Sequence, residues 1–186
     1  MINADLDRRE DGVTQTEVEL IRQQLDAAVE LCELTMSQIR VLAHDLRPAA
    51  LENLGLDMTL RSFCRDFARR THLAIAYEHA GDQLQDLPSA IDIALYRFLQ
   101  EALNNVAKHA QANEVHVEFH CDETTISLTV ADDGCGFEPD QALQLYSRGQ
   151  GIGLSGMQER LESVGGRLII SSQPGNGTRL VAWIPR

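Results

Sequence analysis

Gln100-Glu101-Ala102-Leu103-Asn104-Asn105-Val106-Ala107-Lys108-His109 closes a segment, Ser89 to His109, that reads as a helix. Glu101 and Asn105 are four residues apart, so on a helix they point the same way. Asn105, Lys108 and His109 likewise share one side near the helix end. A carboxylate, an amide oxygen, an ammonium and an imidazole on one face suit Mg²⁺ and phosphate. The two oxygens are hard metal ligands, and the cations can meet phosphate charge. The same spacing also describes a solvated helix face, so two Gly-rich stretches downstream have to be read with it.

Asp132-Asp133-Gly134-Cys135-Gly136-Phe137 directly follows a segment, Thr125 to Ala131, that reads as a strand. Glycines there let the backbone turn sharply and let a flat ligand approach. A carboxylate at a strand end can accept a hydrogen bond from an exocyclic amine such as adenine N6. An Asx-type turn is the plainer reading of the same residues. Gly149-Gln150-Gly151-Ile152-Gly153-Leu154-Ser155-Gly156-Met157 opens a helix. Successive N–H groups at a helix start, with no side chains in the way, form an anion nest. No strand immediately precedes it and the spacing is G-x-G-x-G, so the dinucleotide and Walker fingerprints fail in context. A mobile flap fits too, and a phosphate-gripping lid would also be mobile.

Outward from these clusters, residues 1–15 are polar, acidic and expected to be frayed. Residues 16–48 read as a dimerisation helix. Val18, Ile21, Leu25, Ala28, Cys32, Thr35, Ile39, Leu42 and Leu46 follow alternating 3,4 spacing, interrupted only by Thr35. Pro48 stops that helix at Arg47. One helix cannot bury such a seam alone, so it is expected to dimerise or dock on a partner helix.

Residues 49–186 read as one domain, entered through a connector from Pro48 to Leu56. A helix from Asp57 to Thr71 precedes a strand from Leu73 to Glu78 and the Gly81–Pro88 loop. After the Ser89–His109 helix come strands Glu114–Cys121 and Thr125–Ala131, a loop from Asp132 to Gly156 and a helix from Ser155 to Val164. A hairpin, Arg167–Ser172 and Thr178–Ile184, ends the chain. Strands and helices alternate without a regular βαβ rhythm, which predicts an α+β fold: a two-layer α/β sandwich with a mixed sheet.

Of the 186 residues, 44% are hydrophobic and 24% charged, the balance of a globular chain that buries a core. Sixteen basic residues against 28 acidic ones give a net charge of −12. That argues against duplex nucleic acid or an anionic membrane as the main partner, both being polyanions. Lys108 is the single lysine. Cys32, Cys64, Cys121 and Cys135 show no C-x-x-C spacing and read as reduced thiols. No apolar run is long enough for a membrane span and the start lacks a signal-peptide core, so a cytoplasmic chain without membrane contact is expected.

The ordered set is more specific than its parts: E-x-x-x-N on a helix, D-x-G-x-G after a strand, G-x-G-x-G, then Gly177-Thr178 in a final hairpin. In this set the chain resembles the Bergerat-fold ATPases, the family of gyrase, mismatch-repair ATPases and sensor histidine kinases. The resemblance is strongest to kinases of the nitrate-sensor type. It extends over residues 35–186 and takes in Leu46-Arg47-Pro48, Leu54-Gly55-Leu56, Tyr96-Arg97, Gln100-Glu101-Ala102-Leu103 and Gly151-Ile152-Gly153-Leu154.

The resemblance implies ATP and Mg²⁺ as cofactors. It implies that Asn105 is a magnesium ligand and that Glu101 polarises the attacking nucleophile. Lys108 and His109 would lie near the triphosphate. Asp132 would read adenine in a pocket shaped by Gly134 and Gly136, with Thr178 helping to hold the base. Gly149, Gly151, Gly153 and Leu154 would belong to the lid. It further implies a response regulator, with a helix-turn-helix output domain, as partner, and homodimerisation through the N-terminal helix.

A histidine kinase also needs a phosphoacceptor histidine. Ala43-His44-Asp45-Leu46-Arg47-Pro48 imitates such a motif, but His44 lies one turn before the helix stop and no second bundle helix follows. His44 is therefore read as an exposed helix-end histidine, and His72, His79, His116 and His120 as surface or strand histidines. The chain is expected to be an excerpt that binds Mg·ATP but autophosphorylates poorly. The rival reading is an anti-sigma-type serine kinase that sequesters a partner, and it predicts a seryl-phosphorylated partner.

Overall fold

Val115, Val117, Phe119 and Cys121 alternate with Glu114, His116, Glu118 and His120 along strand β2 (Glu114–Cys121), and only the first four are buried. That period of two gives the sheet one apolar face and one wet face. The computed structural model describes residues 49–81, 87–139 and 152–186. The expected 16–48 helix, the 1–15 segment, His44, Gly149 and Gly151 lie outside these residues.

The elements are α1 (Ala49–Thr71), β1 (Ala74–Gly81), α2 (Ser89–Asn105), a π-helical turn (Val106–Ala110), β2, β3 (Thr125–Asp132), α3 (Ile152–Glu162), β4 (Arg167–Ser172) and β5 (Thr178–Pro185). The strand order is β1-β2-β3-β5-β4. β1 runs parallel to β2, and the other neighbours pair antiparallel. This is the mixed sheet that the irregular alternation predicts. Leu95, Phe98, Leu99, Ala102 and Leu103 recur at helical spacing and are buried on α2. Leu56, Leu60, Cys64 and Phe67 of α1 and Met157 and Leu161 of α3 join them and the inward row of the sheet in one core.

Several boundaries differ from the sequence reading, among them that of β1, which runs on past Glu78 to Gly81. The connector after Pro48 is helical from Ala49, because Leu51 and Leu56 are both drawn into the core. Gly55, at φ 74°, ψ 174°, breaks that helix into two, a conformation natural only to glycine. The Ser89–His109 helix stops at Asn105 and continues as the π-turn, which buries Val106 and Ala110 and ends on Gln111 in the left-handed region. β3 includes Asp132, which is therefore a strand residue and not the first of the loop, and α3 starts at Ile152, ahead of Ser155.

Two carboxylates missed as structural groups fasten the sheet. Asp122 Oδ1 accepts the Thr124 and Thr125 N–H groups, both at 2.8 Å, and the Thr124 hydroxyl at 2.9 Å. Asp133 Oδ1 accepts the Asn113 and Glu114 N–H groups at 2.8 and 3.0 Å. Bonds from Thr124 hold the Asp122 carboxyl well below the usual range, and those from Glu114 and Asn113 do the same for Asp133. Groups that ionise more readily folded than unfolded stabilise the fold above an ordinary carboxyl pKa. That stabilisation is lost as pH falls through their lowered values. Thermal melts by circular dichroism from pH 6 to pH 2 are therefore expected to show a shallower acid decline for Asp122→Asn than for the parent chain. Parallel declines would remove Asp122 from the account.

Cys64 and Cys121 are buried, Cys135 is exposed, and all three are free thiols. Burial pushes the Cys64 thiol up to about 12. Among the described residues no helix is long and apolar enough to cross a membrane.

Candidate functional site

Asp132 ends β3 opposite Thr178, the first residue of β5. Its Oδ1 accepts the Gly134 N–H at 2.9 Å. Burial pushes the Asp132 carboxyl upward, partly offset by the nearby Gly134 and Thr178 N–H groups. Asp132, Gly177, Thr178, Ser172 and Ile170 line an open groove of about 500 Å³.

The loop after Asp132 is pinned on three sides. The Cys135 N–H donates to Ala110 O at 2.7 Å, the Gly175 N–H to Cys135 O at 2.7 Å, and the Phe137 N–H to Ser172 Oγ at 2.9 Å. Close approach makes the glycines necessary. A Cβ on Gly134 would meet Ala110 O, with Ala110 Cβ at 2.7 Å and Asp132 Oδ1 at 2.8 Å. Gly136 has φ 61°, and a Cβ there would meet the Gln173 carbonyl.

The second grouping lies on α2. A Cβ on Gly153 would stand 2.5 Å from Glu101 Oε1 and 3.5 Å from Asn105 Nδ2, so the first turn of α3 lies against both. Three residues on, a Cβ at Gly156 would sit 3.2 Å from an Arg160 Nη. Burial disfavours the Arg160 charge, and the Glu101 carboxylate offsets that effect. Leu154 is half-buried and packs on the core.

The structure thus brings Glu101, Asn105 and Gly153 together, and Asp132, Gly134, Gly136 and Thr178 together. The π-turn links the two groups, since Ala110 holds Cys135 one turn beyond Asn105. Lys108 and His109 are exposed on that turn. Their common side with Asn105 was read for an α-helix, and the π-turn inserts an extra residue into the repeat. Gly149 and Gly151 lie outside the described residues. Ser172, Asp133 and Arg160 were missed, although Ser172 stands opposite Thr178 in the hairpin, a pairing that strand register alone could have suggested.

As a metal site the donor set is sparse. Among the described residues no group of three or more His, Cys, Asp or Glu side chains converges. An amide oxygen and one nearby carboxylate fit Mg²⁺, which binds through few protein ligands plus phosphate oxygens. The residues present fit Mg²⁺ carried by a nucleotide.

Residues 90–186 match the family described as histidine kinase-, DNA gyrase B-, and HSP90-like ATPase. The chain belongs to this ATPase family. Among its relatives are the signal transduction histidine-protein kinase/phosphatase DegS of Brevibacillus brevis and the sensor histidine kinase MctS of Rhizobium johnstonii. DegS is 33% identical over 84% of this chain and 39% of its own, and MctS 38% identical over 87% and 34%. The oxygen sensor histidine kinase NreB of Staphylococcus carnosus is 34% identical over 100% of this chain and 52% of its own. The chain thus spans between about a third and half of these relatives' lengths. A blue-light activated histidine kinase of Erythrobacter litoralis shares the fold at 20% identity, with a TM-score of 0.56 over 70% of this chain and 45% of that one. Within the family, the relatives place this domain with the ATP-binding catalytic domains of sensor histidine kinases.

Proposed function

We propose that this chain binds Mg·ATP between the end of β3 and the last turn of α2, as the catalytic ATP-binding part of a two-component sensor histidine kinase. It donates the γ-phosphoryl to a histidine for relay to a response regulator. The observation that carries the reading is Asp132: a half-buried carboxylate, held by the Gly134 N–H and lining a groove, at the head of a loop that the π-turn fastens through Ala110 and Cys135.

In this reading Asp132 accepts the adenine amine, with Thr178 beside it and Gly134 and Gly136 letting the flat base approach. Asn105, together with the phosphates, would hold Mg²⁺, which would offset phosphate charge. Glu101 orients and polarises the attacking nucleophile, while Lys108 and His109 face the phosphates from the π-turn. Gly149, Gly151, Gly153 and Leu154 form the lid, residues 16–48 the dimerisation helix and residues 49–186 the catalytic domain.

Calorimetric titration of ADP with and without Mg²⁺ tests the arrangement. The parent chain is expected to bind more tightly with Mg²⁺, and Asn105→Ala to lose that increment while keeping its metal-free affinity. An undiminished Mg²⁺ increment in the variant would remove Asn105 from the metal, and absence of ADP binding by the folded parent would sink the reading.

A further inference from the structure

Ser172, the last residue of β4, has every hydrogen-bonding position of its hydroxyl engaged. Its Oγ lies 2.9 Å from the Phe137 N, 3.1 Å from the Gly177 carbonyl oxygen and 3.0 Å from Thr178 Oγ1. A hydroxyl offers one hydrogen and two lone pairs. The Phe137 amide can only donate and the Gly177 carbonyl can only accept, so they take one lone pair and the hydrogen. The remaining lone pair bonds Thr178 in a single sense: the Thr178 hydroxyl donates to Ser172.

With its hydrogen spent, Thr178 Oγ1 turns only lone pairs toward the groove that it lines with Asp132. The ionised Asp132 carboxylate is also an acceptor. This end of the groove therefore favours a ligand edge that carries hydrogens, such as an exocyclic amino group. It opposes a carbonyl, whose lone pairs would face two acceptors.

We infer that Ser172 is a positioning residue that sets the hydrogen-bond polarity of Thr178, and with it the preference of the groove for a 6-amino over a 6-oxo purine. The inference rests on the reading of the groove as a nucleotide-base site. Without Ser172 the Thr178 hydroxyl is free to rotate and donate into the groove, which lets a 6-oxo base satisfy one of its lone pairs.

The test is calorimetric measurement of ADP and IDP affinities for the full chain, its Ser172→Ala variant and its Ser172→Thr variant. The parent is expected to favour ADP by about tenfold or more, as a site built around a hydrogen bond rejects the mismatched analogue. In Ser172→Ala that ratio falls by about fivefold, and Ser172→Thr, which keeps the hydroxyl, restores it. Loosening of the Phe137 loop affects both nucleotides alike and cancels in the ratio. A Ser172→Ala ratio within about twofold of the parent's, or a parent without preference, overturns the inference. A folded parent that binds neither nucleotide sinks the groove reading itself. Should the alanine variant fail to fold, Ser172→Cys, with a weaker donor and acceptor, moves the ratio the same way, and an unchanged ratio overturns the inference equally.

Discussion

Asp132→Asn is expected to weaken nucleotide binding about thirtyfold or more in a chain that otherwise takes an ATP analogue with Mg²⁺ at micromolar to sub-millimolar affinity. The carboxylate accepts from the Gly134 N–H and still has lone pairs for a ligand amine. An asparagine offers one oxygen and one NH₂ group, so in either orientation the NH₂ confronts a backbone N–H or the amine of the ligand. An unmet donor and the loss of a charge-assisted bond together cost about 2–3 kcal/mol, a loss of about thirty- to 150-fold in affinity. The same carboxylate gives a pH signature. Burial raises the Asp132 carboxyl, so protonation turns it from acceptor to donor at a pH above the roughly 3.9 of a free aspartic acid. Affinity in the parent therefore declines on acidification before ordinary carboxyls titrate. Calorimetry at pH 7 with parent and variant decides the matter, with thermal melts showing that both are folded. Equal affinities would dismiss Asp132 as the base reader.

The other large effect is expected from Gly177→Ala, on the fold and the groove together. Gly177 has φ 69°, and a Cβ there would fall on the Asp132 carbonyl oxygen, with the Asp132 carbonyl carbon at 3.0 Å and Asp133 Cα at 3.3 Å. All three are backbone atoms, so no flexible side-chain end can move aside. Left-handed strain of about 1–2 kcal/mol adds to overpacking of about 1–3 kcal/mol. Together these lower Tm by roughly 5–15 °C for a chain of this size. Gly175→Ala is the control: φ is 83°, but nothing lies within 4 Å of the added carbon. It carries the strain without the collision and is expected to lose only a few degrees. Equal losses in the two variants would show that the close approach at Asp132 contributes nothing. Gly177→Ala is also expected to weaken nucleotide binding, because Asp132 and Thr178 can separate only by opening the β3–β5 pair.

The β2 strand was legible to the residue, since Glu114–Cys121 alternates strictly and one of its faces is buried. The last hairpin was nearly so, because Pro174-Gly175-Asn176-Gly177 admits little but a turn. The reach of α2 was not. Asn105, Lys108 and His109 suggest a continuing α-helix, and only the burial of Val106 and Ala110 against the core selects the π-turn. The helical start at Ala49 escaped for a related reason, because Leu51 gains from being helical only when the rest of the core is there to cover it.

The sequence by itself determined which chemistry the chain carries and in what order: Glu101 and Asn105 one helical turn apart, Asp132 before two glycines, and Thr178 at the head of the last strand. Spacing of that kind is local, and helix and strand periods convert it directly into shared faces. Only the tertiary structure decided how the pieces meet. Gly153 makes room for Glu101, Ala110 holds the Asp132 loop beside the end of α2, and Ser172 dictates which way the Thr178 hydroxyl points. Those relations join residues 52, 25 and 6 positions apart through backbone groups and single hydrogens, which composition and periodicity do not encode.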